Sequence, residues 1–147
     1  MANDFDPQEL SRLGFSVVET ADDHVLLVEK ESENQVIVWK VGGWLQFRCR
    51  LYDLGTGVGS SRYVALSETI NRMHDLALGA RVSVSDAGEV ALVADVLHSL
   101  ASNEVVATMC RQLLFLTDCL YEGLDRIAQG GPSLSGEEIA SMLSCDE

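Results

Sequence analysis

Between Ser102 and Ala128 the chain runs SNEVVATMCRQLLFLTDCLYEGLDRIA, without proline and without glycine before Gly123. Val106, Met109, Cys110, Leu113, Leu116, Leu120, Leu124 and Ile127 recur at spacings of three and four, which predicts a long α-helix with one apolar stripe. Val105, Leu114, Phe115, Cys119 and Tyr121 fall outside that stripe. A helix greasy over so much of its circumference must be sandwiched, with a sheet on one side and something else on the other. The stripe therefore calls for a mixed α and β fold, and it leaves apolar surface over for a partner.

The rest of the chain supplies the sheet. Phe15–Thr20, His24–Lys30, Gln35–Val41 and Trp44–Tyr52 read as antiparallel strands. Polar turns separate the first three, and Gly42-Gly43 forms a two-residue hairpin turn between the last two. In the fourth strand Leu45, Phe47, Cys49 and Leu51 face one way, while Trp44, Gln46, Arg48, Arg50 and Tyr52 face the other. Such alternation marks one buried and one wet face, so helices must cover the buried one. Ahead of the strands, Asp6-Pro7-Gln8-Glu9 reads as a capped helix start with Glu9 closing a capping box, and Gly14 stops that helix after one to two turns.

After the strands comes a glycine-rich connection, Asp53–Ser60. A helix follows, capped by Ser60 or Ser61 and running to about Leu78, with Tyr63, Leu66, Ile70, Met73 and Ala77 as its stripe. A second hairpin is expected from Arg81–Ser85, with Val82 and Val84 inward, an Asp86-Ala87-Gly88 turn, and Glu89–Leu97. Val90–Val96 is apolar on both sides, which suits a central strand covered on both faces over part of its length. Ser102 or Asn103 caps the long helix, and Gly130-Gly131-Pro132 ends it. In the last residues Ser135 and Glu138 form another capping box, and Ile139, Met142 and Leu143 give a short greasy face. The expected organisation is a single domain over residues 1–131 with a tail helix in 132–147. The fold class is α+β, in the order α-β(3-4)-α-β-β-α, an antiparallel sheet covered by helices on one face.

That order, and the stretch LSETINRMHDLALGARVSVSDAGEVALVADVL from Leu66 to Leu97, resembles the YbjN family, which belongs with the type III secretion chaperone-like fold. The carrying features are Asn71 on a helix, the strand Val82–Val84, the turn Asp86-Ala87-Gly88, and Asp95 near the end of the next strand. The segment VIVWKVGGWLQFRCRLY is similar to that family's central hairpin, and Ser102–Ala128 to its last helix. The resemblance covers about residues 5–128. It implies a small acidic α/β module. Secretion chaperones of that fold act as dimers that hold an extended segment of a partner. No catalytic residue comes with it.

Composition narrows function further. The 147 residues carry a formal net charge of −13, which disfavours nucleic acid and anionic membrane surfaces as partners. No apolar run approaches the roughly 20 residues of a membrane span, and no basic segment with an apolar core opens the chain, so a cytoplasmic protein without a signal peptide is expected. Cys49, Cys110, Cys119 and Cys145 form no CxxC pair and match no zinc spacing, and read as buried small hydrophobes. His24, His74 and His98 lie on three elements without helical partners, and no serine sits in a nucleophile-elbow motif. Acid, base and nucleophile do not converge, so the sequence argues against an enzyme and implies no cofactor.

Two candidate sites remain. Trp44, Arg48 and Arg50 share an otherwise wet strand face, and aromatic and arginine side chains are typical of interface centres; alternatively, Trp44 packs under the first helix or the tail. With Val105, Phe115 and Cys119 on the long helix, these residues form the candidate surface for a protein partner or its extended segment, or for a homodimer. The other site is the connection Gly55–Arg62, where Gly57, Gly59, Ser61 and Arg62 precede a helix and could meet an anion or nucleotide. It lacks the Gly-Lys-Ser/Thr ending of a P-loop and the dinucleotide glycine spacing, and reads otherwise as a flexible linker.

Overall fold

Asp6 caps the first helix, α1 (Pro7–Arg12), by accepting from the backbone N–H groups of Gln8 and Glu9. The expected capping box does not close. Glu9 pairs with Arg12 instead, and the Asp6 N–H donates to Asn103 Oδ1 at 3.2 Å. A partner 97 residues away has replaced the local one. Gly14 ends the helix with φ +100, a backbone state that disfavours side chains with a Cβ.

The structure, a computed structural model, describes residues 5–55, 59–76 and 79–144, with backbone only at Ser60 and Asp75. Its strands are β1 (Phe15–Thr20), β2 (His24–Glu29), β3 (Gln35–Val41), β4 (Trp44–Asp53), β5 (Arg81–Val84) and β6 (Glu89–Leu97). They form one six-stranded sheet in the order β1-β2-β3-β4-β6-β5, mixed with helices α2 (Ser60–Asp75), α3 (Asn103–Ala128) and α4 (Gly136–Leu143). The described architecture is α+β with helices on one face of an antiparallel sheet, as the alternation in β4 required. The chain divides into two compact units, Met1–Cys49 with Val93–Leu114, and Arg50–Leu92 with Phe115–Glu147. Strands β4 and β6 and helix α3 contribute residues to both.

In the first unit the inward row is Val25 and Leu27 of β2, Val36 and Val38 of β3, and Leu45, Phe47 and Cys49 of β4, none more than 3% exposed. Leu10 of α1 and Val106, Ala107, Cys110 and Leu113 of α3 are equally buried and complete this core. Burial, with the Cys49 thiol beside it, pushes the Cys110 thiol well above its ordinary pKa, so it is an inert packing group. At the free edge of the sheet, β1 carries a bulge between Val17 and Glu19, which breaks the flat edge that invites uncontrolled strand pairing.

In the second unit Leu51, Val82, Val90 and Leu92 of the strands are buried, as are Leu66, Thr69 and Met73 of α2 and Leu116, Leu120, Leu124 and Ile127 of α3. Helix α2 starts earlier than expected: Gly59 is its N-cap, without a side-chain bond, because Ser60 is already helical. It stops at Asp75, short of Leu78, and Ala77 and Leu78 lie outside the described residues. His74 Nε2 then accepts the Val82 N–H at 3.0 Å, tying the helix end to β5. Val84 is 36% exposed rather than inward, because the strand ends there before the turn. From Val90 to Ala94 every residue of β6 is buried, as its two-sided apolar pattern implied.

The tail helix α4 has the capping box read from the sequence: Ser135 Oγ accepts from the Glu138 N–H at 3.1 Å, and Glu138 Oε1 from the Ser135 N–H at 3.1 Å. It packs on its own chain. Leu134 is 3% exposed and Ile139 fully buried. A Cβ on Gly123 of α3 would come within 2.6 Å of Leu134 Cδ1 and 2.8 Å of Met142 Cε, so the missing side chain is what admits the tail.

Candidate functional site

The outer face of the first unit is built by two hairpins. Register places Val41 opposite Trp44, Trp39 opposite Gln46 and Ile37 opposite Arg48, and next to these His24 opposite Trp39 and Leu26 opposite Ile37. These positions alternate with the buried row, so they share the other face. None of them is fully buried: Leu26, Ile37, Trp39, Gln46 and Arg48 are half-buried, Val41 and Trp44 exposed. The His24 ring lies against Trp39, with centroids 4.5 Å apart. Its Nδ1 is 2.9 Å from Asp23 Oδ1, and its Nε2 is 3.7 Å from Glu19 Oε1.

At one end of this face the apolar exposure is concentrated. The His98 N–H donates to the Gly43 carbonyl at 2.9 Å, which brings the end of β6 and the 3₁₀ turn His98–Leu100 beside the β3–β4 hairpin. Val41 is 54% exposed, Trp44 48%, Leu97 41% and Leu100 65%. Four large hydrophobic side chains thus stand in water at one hairpin end, where a scattered surface residue would need no explanation but a cluster does. Trp44 keeps about half of its surface in water.

The other expected surface residues differ in their exposure. Arg50, in the second unit, is exposed and paired with Glu89 at 3.0 Å. Val105 is half-buried in the first turn of α3, where Ser102 Oγ accepts its N–H at 3.2 Å. Phe115 is 46% exposed, whereas Cys119 is only 8% exposed and Leu114 4%. Cys119 sits one turn before Gly123 on the same side of the helix, the side on which α4 packs. The apolar excess of α3 is thus largely covered within the chain, with the tail as the second layer. Phe115 and Tyr121, at 49%, stay out. Sequence reasoning missed Val41, Leu97 and Leu100 as site residues. Leu97 and Leu100 continue apolar sequence that looks like strand interior, and only the Gly43–His98 bond sets them beside Trp44.

The second candidate site fares differently. Gly57 lies outside the described residues. Gly59, Ser61 and Arg62 are exposed, and Ser61 and Arg62 line an open recess that Glu68, Gly131 and Pro132 also line. The first part of the connection is committed to structure. Asp53 Oδ1 accepts the Gly55 N–H at 2.9 Å, and the Leu54 N–H donates to the Gly88 carbonyl at 2.9 Å.

Hydrogen bonding shifts the acidity of two groups in the second unit. The Tyr52 hydroxyl donates to Asp125 Oδ1 at 2.6 Å, and that bond, with burial and the Asp125 charge, pushes its pKa up to about 12. The backbone N–H of Ser135 holds the Glu138 carboxyl below the usual glutamate range. Among the described residues no group of three or more His, Cys, Asp or Glu could hold a metal ion, and no helix is long and apolar enough to cross a membrane. The outer face offers apolar contact, aromatic rings and a guanidinium.

No family model matches the chain, and no curated protein matches it. Solved structures do. A chain of the ExsC–ExsE complex aligns with TM-score 0.61 at 15% identity, over 80% of this chain and 89% of its own. A chain of the HopA1–SchA chaperone–effector complex aligns with TM-score 0.55 at 12% identity, over 79% and 90%. In the Yersinia pestis type III secretion chaperone SycH, bound to a stable fragment of YscM2, the values are 0.51, 18%, 78% and 95%. The chain has the type III secretion chaperone-like fold.

Proposed function

We propose that this protein is a non-enzymatic interaction module, a chaperone-like protein or regulatory adaptor that holds a segment of a protein partner. The observation that carries the reading is the exposed cluster Val41, Trp44, Leu97 and Leu100, continuous along the hairpin with the half-buried Trp39, Ile37 and Arg48. Aromatic and aliphatic anchors beside a guanidinium are what a protein surface docks on. The fold supports the same reading, since its solved neighbours are described as complexes with protein partners. In this reading residues 1–131 act as the binding domain and 132–147 as its tail, and the protein works as a cytoplasmic homodimer. The narrower kinship with the YbjN family rests on sequence resemblance: the order of elements, Asn71, Val82–Val84, Asp86-Ala87-Gly88, Asp95, the hairpin VIVWKVGGWLQFRCRLY and the helix Ser102–Ala128.

The test is affinity capture from native lysate with chemical crosslinking, comparing the natural chain with a Trp44→Ser/Leu100→Ser variant. A protein crosslinked next to Trp44 and lost from the variant is expected. Sedimentation showing a monomer throughout, together with no crosslink at this face, defeats the proposal. The alternative, a nucleotide- or small-ligand-sensing regulator working through residues 55–62, has less behind it. Glu68 stands in the same recess as Arg62, and the Leu54 N–H is bonded to the Gly88 carbonyl. Nucleotide at 100 times its dissociation constant would stabilise the protein by about 2.7 kcal/mol, so an unmoved melting temperature removes that alternative.

A further inference from the structure

The second unit contains a helix-binding groove that is already occupied. Its walls are α2 and the C-terminal half of α3, and its occupant is the chain's own tail. Three features make the groove specific. Gly123 leaves a gap in α3 that Leu134 and Met142 enter. The Thr69 hydroxyl, fully buried on α2, accepts the Leu134 N–H at 3.0 Å. Arg72 Nη1 donates to the Leu134 carbonyl at 2.7 Å and to Ser133 Oγ at 3.0 Å, fixing the point where the occupant's helix begins.

The occupant is short and lightly held. Helix α4 is 8 residues long, below the length at which a helix is stable by itself. Among the described residues of the tail only Leu134 and Ile139 are buried, while Met142 and Leu143 are half-exposed. A segment with few buried contacts opens before the rest of a domain. Lifting it uncovers Thr69, Arg72 and the Gly123 gap, a groove whose polar groups are aimed at a helix start and whose gap is shaped for branched or thioether side chains.

We propose that this α2–α3 groove is a helix-acceptor site that α4 keeps closed in cis, and that it takes an amphipathic helix of a partner protein presenting the pattern Leu-Ser-x-x-Glu-Ile-x-x-Met-Leu. Partner and tail compete, because each needs the Gly123 gap and the Thr69 acceptor. This site shares no residue with the Trp44 face and stands or falls independently of it.

The experiment uses the full chain and a fluorescently labelled peptide of residues 132–144 as the probe. Ile139→Asp in the chain places a charge at a fully buried position and lifts α4, while the peptide keeps its own Ile139. Fluorescence polarisation should show saturable binding to the Ile139→Asp chain at least tenfold tighter than to the natural chain. Adding Gly123→Leu to the variant should abolish the gain, because the gap is filled. Equal binding to all three chains, or none to an Ile139→Asp chain that still melts cooperatively, overturns the proposal. Native-state hydrogen exchange on the natural chain covers the case in which the variant does not fold. The amides of α4 must exchange through an opening at least tenfold more frequent than that of α2 and α3. Exchange of α4 only together with global unfolding overturns the proposal as well.

Discussion

The hydroxyl of Thr69 accepts the backbone N–H of Leu134 at 3.0 Å across 65 residues of sequence, and donates in turn to the Ala65 carbonyl at 2.8 Å. Both groups at the longer link are buried, so the bond replaces water that cannot reach them. Thr69→Val keeps the shape and removes the acceptor, leaving the Leu134 N–H unsatisfied at a cost of about 1–3 kcal/mol. Thr69→Ser keeps the hydroxyl and should recover most of that loss. Urea denaturation of the two variants checks this, and equal stability for both would show that the bond carries no weight.

Gly88 sits at φ +85, and a Cβ there would run into the Gly55 carbonyl oxygen. Neither constraint yields to a side-chain rotation, since the obstacle is backbone. Gly88→Ala should therefore cost at least about 2 kcal/mol, combining a left-handed non-glycine residue with displaced backbone. A midpoint of chemical denaturation unchanged from the natural chain contradicts this.

Tyr52 should ionise late. Its hydrogen bond to Asp125 favours the neutral phenol in the folded state and lifts its pKa to about 12 from an ordinary 10.0. A group raised in this way contributes stability that is complete below pH 10 and is lost as pH rises from 10 through 12. Ultraviolet titration of the folded protein should show a late tyrosinate step, and Asp125→Asn should move that step down toward the ordinary value. A folded protein whose tyrosines all titrate near pH 10 rejects the assignment.

Trp44 and Phe47 are three residues apart on one strand with opposite duties. Phe47→Ala opens a cavity in the first unit's core and should cost about 3–5 kcal/mol. Trp44→Ser removes a larger side chain, yet one already 48% exposed, and should cost no more than about 1 kcal/mol while reducing partner capture. Thermal melts of both variants, read beside crosslinking yield, separate stability from binding. A Trp44→Ser variant as unstable as Phe47→Ala would make the tryptophan a packing residue.

Much of the fold was legible because its signals are local. Two-residue periodicity named the buried row Leu45, Phe47, Cys49 and Leu51, and the three-and-four spacing named the buried stripe of α3 except for Met109, which is half-buried. The box at Ser135 and Glu138 spans four residues and closed as read. Readings went astray where a distant group competed. Glu9 turned to Arg12 while Asn103 took the Asp6 N–H; the cap at Ser60 failed for a local reason, since the helix began one residue sooner with Gly59 as N-cap. The candidate surface was half legible: Trp44 stood out by composition, but its apolar neighbours did not.

Side-chain alternation, helical spacing and turn-forming glycines are properties of adjacent residues, so the order of residues by itself determined the strands, the helices and which of their faces would be buried. What covers each face depends on groups tens of residues away meeting at hydrogen-bond and van der Waals distances, which no local pattern encodes. Only the tertiary structure decided that α4 fills the gap at Gly123 and that Leu97 and Leu100 join Val41 and Trp44 in solvent. Burial is a property of the assembled surface, and the same leucine is core or contact according to what packs beside it.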